Sequence, residues 1–445
     1  MAIQTHAGQS KLAIEYIATD ELKPDPENAR RHTPAQLKQI AASIKAFGYG
    51  APILVDADNK VLAGHGRLES LKRLGWSEAP VIRMEHLSPA QARAFAITDN
   101  RLSDNSSFDE RLLALHFKEL ATIIDLDFSL EDTGFSMGEI DLLIEGLDDQ
   151  QKDAADPDDE PVLPGPAVSR PGDLWRLGPH RLICGSALDG EVFKQLLQGE
   201  VVAGGFHDFP YNVPVNGHIS GKGKRKHREF LAGSGEMSGP EYSIFQTNAC
   251  RQIADHSADG AVHFFTMDWA HIRSLLAAGG AVFDDLLNIC VWVKNNGGMG
   301  GLYRSAHELV AVFRHGPGRH RNNVQLGKYG RNRENVWRYA GANTFLRSSE
   351  EADLIGQHPT PKPVALVADA LLDVTARGEL VLDAFMGSGS TLMACERIGR
   401  RCRGIELDGL YVDLTIRRWQ RMSGEAAIRE SDGRTFDDLA SEAAP

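Results

Sequence analysis

The chain has 445 residues, enough for two or three domains, and a formal net charge of −13, which excludes a wholly basic nucleic-acid coat while allowing a local basic groove. Its five cysteines (Cys184, Cys250, Cys290, Cys395, Cys402) are scattered, odd in number and form no Cys-x-x-Cys pair, so neither a metal site nor a disulfide framework is expected. The polar start (residues 1–11) does not read as a signal peptide, and no apolar run approaches a membrane span, so a cytoplasmic location without a membrane partner is expected.

Residues 12–17 read as a strand, and Pro24 and Pro26 mark an extended connection. Thr33-Pro34 predicts a helix start, with Thr33 as N-cap and Pro34 in the first turn. Leu37, Ile40, Ile44 and Phe47 then share one helical face. Residues 53–55 and 61–63 read as strands joined by a turn at 56–59. Gly64-His65-Gly66-Arg67 opens a helix, and residues 81–83 form the next strand. Residues 88–146 carry a cap at Ser88 and helical spacing, and nothing there looks catalytic. Seven of the thirteen residues 148–160 are acidic and prolines 161, 164, 166 and 171 follow, which makes an extended linker.

The second half is organised around residues 380–391. Leu380-Val381-Leu382-Asp383 reads as a buried strand, and Gly387 and Gly389 form a turn that lets backbone approach a ligand. A helix follows, and the next strand ends in Glu406, where a carboxylate can accept both hydroxyls of a ribose. No Gly-Lys-Ser/Thr follows the turn, which excludes a P-loop. Upstream, residues 203–207 read as weak for a strand because of two adjacent glycines, and Asp208-Phe209-Pro210-Tyr211 then offers a carboxylate, stiff proline geometry and an aromatic ring. Basic residues cluster at 222–228 (Lys224, Arg225, Lys226 and Arg228 among them). From 314 to 338 seven Arg or Lys, including Arg319, Arg321, Lys328, Arg331 and Arg333, face one acid. Tyr329 and Trp337 interleave with that run for stacking, and Asn322, Asn323, Gln325 and Asn332 offer amides to base edges. Residues 295–301 read as a glycine-rich loop or lid, and residues 425–445 as a frayed acidic tail.

Two resemblances follow from these residues. Gly64-His65-Gly66-Arg67 in its strand and helix context resembles the N-terminal domain of the chromosome-partition protein ParB, a fold shared with sulfiredoxin. It covers roughly residues 12–110. The likeness implies nucleotide phosphate at Gly64 and Arg67; a plain tight turn is the other reading. Residues 172–423 resemble the β class of S-adenosylmethionine-dependent DNA amino methyltransferases. Three elements occur in the expected order: Asp208 to Tyr211, then His358-Pro359-Thr360-Pro361-Lys362-Pro363, then the Asp383-x-Phe385-x-Gly387-x-Gly389-x-Thr391 turn. Phe209 departs from the family, which has proline there, and the departure suggests a looser loop.

The likeness implies an α/β architecture: a Rossmann-like methyltransferase domain (172–423) behind a small α+β domain (12–110), a helical connector (111–147), a linker (148–171) and a tail (424–445). It implies that Asp208, Pro210 and Tyr211 are catalytic. S-adenosylmethionine is then expected at Ser186, His358, Thr360, Lys362, Asp383, Phe385, Gly387, Gly389, Thr391 and Glu406. An exocyclic base amine is a poor nucleophile; acceptors that hold its hydrogens direct its lone pair, and Tyr211 stacks on a base rotated out of the duplex. The expected activity is methylation of DNA, with adenine N6 favoured over cytosine N4. The other reading is a partition-like, nucleotide-responsive DNA-binding protein whose methyltransferase half has lost turnover through Phe209. Expected partners are double-stranded DNA and a nucleotide, with a homodimer left open.

Overall fold

The computed structural model describes residues 12–105, 107–121, 123, 126–148, 166–212, 235–294, 302–324, 333–339 and 362–443. The chain divides into two compact units, Met1–Leu147 and Asp148–Pro445.

In the first unit, β1 (Ile14–Ala18), α1 (Pro34–Phe47), β2 (Ile53–Val55), β3 (Val61–Ala63), α2 (His65–Arg73) and β4 (Glu78–Arg83) build a four-stranded sheet of order β1-β4-β2-β3. Thr33 caps α1 by accepting from the Gln36 amide at 3.1 Å. Ile53, Val55, Val61, Leu71 and Val81 are fully buried between sheet and helices. Helices α3 (Pro89–Asp104), α4 (Glu110–Ala121) and α5 (Met137–Asp148) follow, and Ser88 and Gln91 close a capping box on α3.

Among its described residues the second unit holds ten strands: β5 (Leu174–Leu177), β6 (His180–Cys184), β7 (Val202–Asp208), β8 (Ser257–Met267), β9 (Asp285–Val293), β10 (His307–Arg314), β11 (Val336–Arg338), β12 (Leu380–Asp383), β13 (Arg401–Glu406) and β14 (Ile428–Arg429). Their order is β11-β9-β10-β8-β7-β12-β13-β6-β5-β14. Strands β8, β7, β12, β13 and β6 run parallel, so their carboxyl ends share one edge. Successive residues feed opposite faces, as a pleated strand requires. Val381 and Phe264 join the layer under α9 (Val364–Val374), α10 (Ser390–Ile398) and α11 (Gly409–Ser423). Leu382 and Phe265 join the layer under α6 (Gly190–Leu197), α7 (Gly239–Asp255) and α8 (Ile272–Gly280). This is the doubly covered α/β sheet that the glycine turn implied.

Three expectations need correction. Two adjacent glycines made residues 203–207 weak as a strand, yet they form the core of β7, in the middle of the sheet. A Cβ on Gly204 would lie 2.6 Å from the Val262 carbonyl oxygen, and one on Gly205 would lie 2.5 Å from that of Leu382. Close approach of both neighbouring strands is what needs glycine here. The linker ends before its last residues: the Val168 and Ser169 amides donate to the Asp413 carboxylate on α11, at 2.7 and 3.0 Å. The acidic tail is not frayed over its described part. β14 pairs with β5, and Phe436, which opens α12 (Phe436–Ala443), is fully buried edge-on against Trp175.

No helix among the described residues is long and apolar enough to cross a membrane. All five cysteines are buried free thiols.

Candidate active site

Strand β7 carries Asp208 to the shared carboxyl edge, beside β12 and its Asp383. The two strands are stitched by His207, whose Nδ1 accepts from the Ala384 amide at 3.2 Å, across 177 residues of sequence. His207 Nε2 faces His263 Nδ1 at 3.1 Å, and His263 Nε2 faces the Ser257 hydroxyl at 2.8 Å. That hydroxyl donates to the Ile253 carbonyl at 2.6 Å. Both imidazoles are fully buried, and burial above all holds both below the ordinary histidine range.

The Asp208 carboxylate is fixed on both oxygens. Oδ1 accepts from the Thr266 hydroxyl, and Oδ2 accepts from Lys362 Nζ at 2.7 Å. The Tyr211 hydroxyl lies 3.3 Å from Asp208 Oδ1 and 3.0 Å from Glu308 Oε2, and its single proton serves one of them at a time. Burial and the two carboxylates push this phenol well above its ordinary range, so it stays protonated. Glu308 also accepts from Lys294 and lies 3.2 Å from Lys362. Burial alone would raise the Glu308 carboxyl, but the two lysines hold it below the usual carboxylate range. Lys362 is therefore placed on the Asp208 carboxylate. The cause is charge: a buried ammonium takes the anions nearest to it.

Phe209 corrects the expectation of a looser loop. It is 1% exposed, with its ring centroid 4.5 Å from Phe385, 5.6 Å from Phe265 and 6.2 Å from Phe245. The residue in the family's proline position thus anchors the loop by packing and does not loosen it. Next to it, the Pro210 carbonyl accepts from the Tyr242 hydroxyl at 2.7 Å. Asn212, in the left-handed region, then holds the Gly235 and Met237 amides and the Met237 carbonyl.

The glycine turn stands between β12 and α10. Gly387 (φ +53°) and Gly389 (φ +89°) are both left-handed. Asp383 accepts from the Phe385 amide at 2.9 Å and from Thr391, and burial pushes its carboxyl up to about 7. Glu406 accepts from the Gly387 amide at 2.7 Å and the Asp408 amide at 2.8 Å, and burial likewise raises it to about 7. The far side of the turn is braced by α11: Thr415 donates to the Gly387 carbonyl at 3.1 Å, and Arg418 donates to that of Ser388. Ser186 lies near the end of β6, where its hydroxyl accepts from the Leu188 amide at 3.2 Å.

The basic residues fare differently. His358, Thr360, Lys224, Arg225, Lys226, Arg228, Lys328 and Arg331 lie outside the described residues, as do Gln325, Tyr329, Asn332 and residues 295–301. Arg319 and Arg321 follow β10, which runs antiparallel to β8, so they lie at the sheet edge opposite Asp208. Arg319 is exposed there, while Arg321 pairs with Glu379 at 3.6 Å. Arg333 is engaged by Asp373, Asp369 and the Tyr339 hydroxyl at 3.1, 3.2 and 2.8 Å. Trp337 is buried, and Asn323 donates to the Leu372 and Thr375 carbonyls at the end of α9. Arg321, Arg333, Trp337 and Asn323 thus brace the fold, while Arg319 stays exposed. In the first unit, Arg67 donates to the Ala51 carbonyl at 2.8 Å, and His65 accepts from the Asp25 amide.

Sequence reasoning missed Glu308, Lys294, Thr266, Tyr242 and His207. Glu308 alone left a signal, as an acid directly before the apolar run at residues 309–313. Among the described residues no group of three His, Cys, Asp or Glu side chains could hold a metal ion.

Three family models match the chain: a ParB N-terminal domain over residues 4–101, a ParB-methyltransferase HTH domain over 111–171, and a DNA methylase of the N6/N4 type over 206–417. Over 81 residues the chain is 40% identical to the ParB-like nuclease domain-containing protein YnaK of Escherichia coli K12, covering 18% of this chain and 93% of that protein. Over 208 residues it is 28% identical to the type II methyltransferase M2.MboI of Moraxella bovis, covering 41% of this chain and 74% of that one. The crystal structure of the M1.HpyAVI–SAM complex aligns with a TM-score of 0.37 and 18% identity, covering 54% of this chain and 98% of that one.

Proposed function

We propose that the chain, which matches the N6/N4 DNA methylase family over residues 206–417 and the ParB N-terminal domain over 4–101, methylates an exocyclic amine in double-stranded DNA, with adenine N6 the target. S-adenosylmethionine is the cofactor, and when bound it supplies an electrophilic methyl group. The residues present fit it. A Cβ on Gly387 would meet nothing closer than the Phe385 carbonyl oxygen at 3.9 Å, so the turn has an open face. Beside that face the Glu406 carboxylate offers acceptors for hydroxyls, and Asp383, Phe385, Gly389 and Thr391 shape the floor.

The observation that carries the reading is the juxtaposition of Asp208 with this turn on neighbouring strands. Thr266 and Lys362 fix the carboxylate, whose side chain still keeps 34% of its surface exposed. In the proposed reaction Asp208 accepts a hydrogen bond from the target amine and sets the direction of its lone pair. Lys362 and Thr266 keep the carboxylate from turning away. Tyr211, anchored through its hydroxyl, presents its ring to the extruded base. The Asp-x-Pro-Tyr form favours adenine. Phe209 packs tightly, so the reading of a binding protein without turnover loses the premise that motivated it. In the first unit, a nucleotide at Gly64 and Arg67 requires Arg67 to leave the Ala51 carbonyl.

The test is transfer of a tritiated methyl group to mixed-sequence duplex DNA, followed by nucleoside analysis. N6-methyladenine is the expected product, and N4-methylcytosine would overturn the adenine assignment. Asp208→Ala should lower single-turnover transfer by about 100-fold or more, with cofactor affinity nearly unchanged. A variant that transfers at the parent rate would overturn the role of Asp208.

A further inference from the structure

Four charged side chains form a line through the second unit: Lys294, Glu308, Lys362 and Asp208. Their signs alternate, and together they sum to zero. The two ends reach solvent, with Lys294 23% and Asp208 34% exposed, whereas Lys362 and Glu308 are only 4% and 7% exposed. The Trp292 ring lies beneath both lysines, 4.8 Å from Lys294 Nζ and 6.0 Å from Lys362 Nζ.

Lys362 and Asp208 alone would already be neutral. Glu308 adds a buried negative charge, and that charge in turn needs Lys294. An inner ion pair is a poor way to gain stability, because desolvating the charges offsets most of their attraction. The extra pair makes sense as a device acting on Asp208. Lys362 Nζ is shared between Asp208 Oδ2 at 2.7 Å and Glu308 Oε2 at 3.2 Å, and a shared cation neutralises each carboxylate only in part. Asp208 thereby keeps the negative charge that makes it a strong acceptor, while its geometry stays fixed.

We propose that Glu308 is a positioning residue for amine methylation: it draws Lys362 partly away from Asp208, and Lys294 sets the strength of that pull. The inference rests on the reading of Asp208 as the acceptor for the amine. Lys362 and Glu308 face Asp208 from the segment leading into α9 and from β10. Among the described residues the other polar and charged groups facing it are Tyr211 in its own loop, Thr266 on β8, Asp383 at the end of β12 and Tyr242 on α7. None of these last four changes in the variants below, so none can shift a pH profile in opposite directions.

The experiment measures single-turnover methylation by the full-length chain against pH, together with melting temperature. With Glu308→Gln, Lys362 belongs to Asp208 alone. The acid limb of the profile should move to lower pH by about one unit, and the plateau rate should fall about tenfold. With Lys294→Gln, Glu308 draws Lys362 more strongly, and the limb should move to higher pH. The double variant is neutral again, and its limb should return toward the parent's, with a melting temperature above that of either single variant. It also keeps the test open if a single variant fails to fold. Limbs that stay put or move together, with rates that merely follow melting temperatures, would make the line a structural brace and overturn the proposal. If Asp208→Ala transfers normally, the underlying reading has failed, whatever the limbs do.

Discussion

Two turns in this chain share a backbone and differ in what fills them. After β3, Gly64 begins α2 at φ +103°, ψ +23°; after β12, Gly389 begins α10 at φ +89°, ψ +19°. Neither helix start has a side-chain cap, so each presents unpaired amides. In the first turn the chain's own side chains crowd the glycines. Arg67 lies 3.2 Å from a Cβ placed on Gly64, and His32 lies 2.9 Å from one on Gly66. In the second turn Gly389 is packed against Thr415, but a Cβ on Gly387 would meet only the Phe385 carbonyl oxygen, at 3.9 Å. A strand–glycine–helix pattern therefore marks a place where a ligand can be held, and the surrounding side chains decide whether the place stands open.

The largest expected effect lies beneath the second turn. Phe209→Ala removes a buried ring that supports Phe385, and should cost about 3–5 kcal/mol of stability, read by chemical denaturation. Phe209→Pro should also melt lower than the parent and transfer no faster. A proline variant of unchanged melting temperature would break the view that this turn rests on packing. An intermediate effect is expected from Gly387→Ala. No neighbour blocks the added methyl, but the left-handed backbone costs about 1–2 kcal/mol. Cofactor affinity by calorimetry should fall about tenfold, a change equivalent to about 1.4 kcal/mol. Unchanged affinity would mean that the open face is not where the cofactor lies. The smallest effect belongs to the first turn. Arg67→Ala loses a solvent-facing hydrogen bond worth about 0.5–1 kcal/mol, and should weaken any binding of a nucleoside triphosphate at this turn. Unchanged binding would remove Arg67 from that site.

What the sequence made legible was local. The caps at Thr33 and Ser88 lie within three residues of their partners, and the glycine turn and Asp208 loop are each contiguous. What it hid was the direction of strands and the company of long-range partners. Arg319 and Arg321 belong to one basic run in sequence, yet β10 is antiparallel to β8 and carries them to the edge opposite Asp208. The glycine pair in β7 looked unfavourable because its reason, contact with Val262 and Leu382, comes from strands far away in sequence. Glu308 and Lys294 acquire their meaning only beside Lys362, which belongs to another segment. Phe436 sits in an acidic stretch whose composition masks one anchoring ring.

The histidine line between β12 and α7 has a direction. It starts at an amide, which can only donate, and ends at a carbonyl, which can only accept. Every proton between is thereby assigned: His207 and His263 each carry theirs on Nε2, and neither ring can turn over without breaking two bonds. An extra proton on either imidazole would set donor against donor. Below about pH 6.5 the unfolded chain takes up protons that the folded chain refuses, so the folded state loses stability as pH falls. The seam between the Asp208 strand and the glycine turn is thus also an acid-labile seam of the molecule.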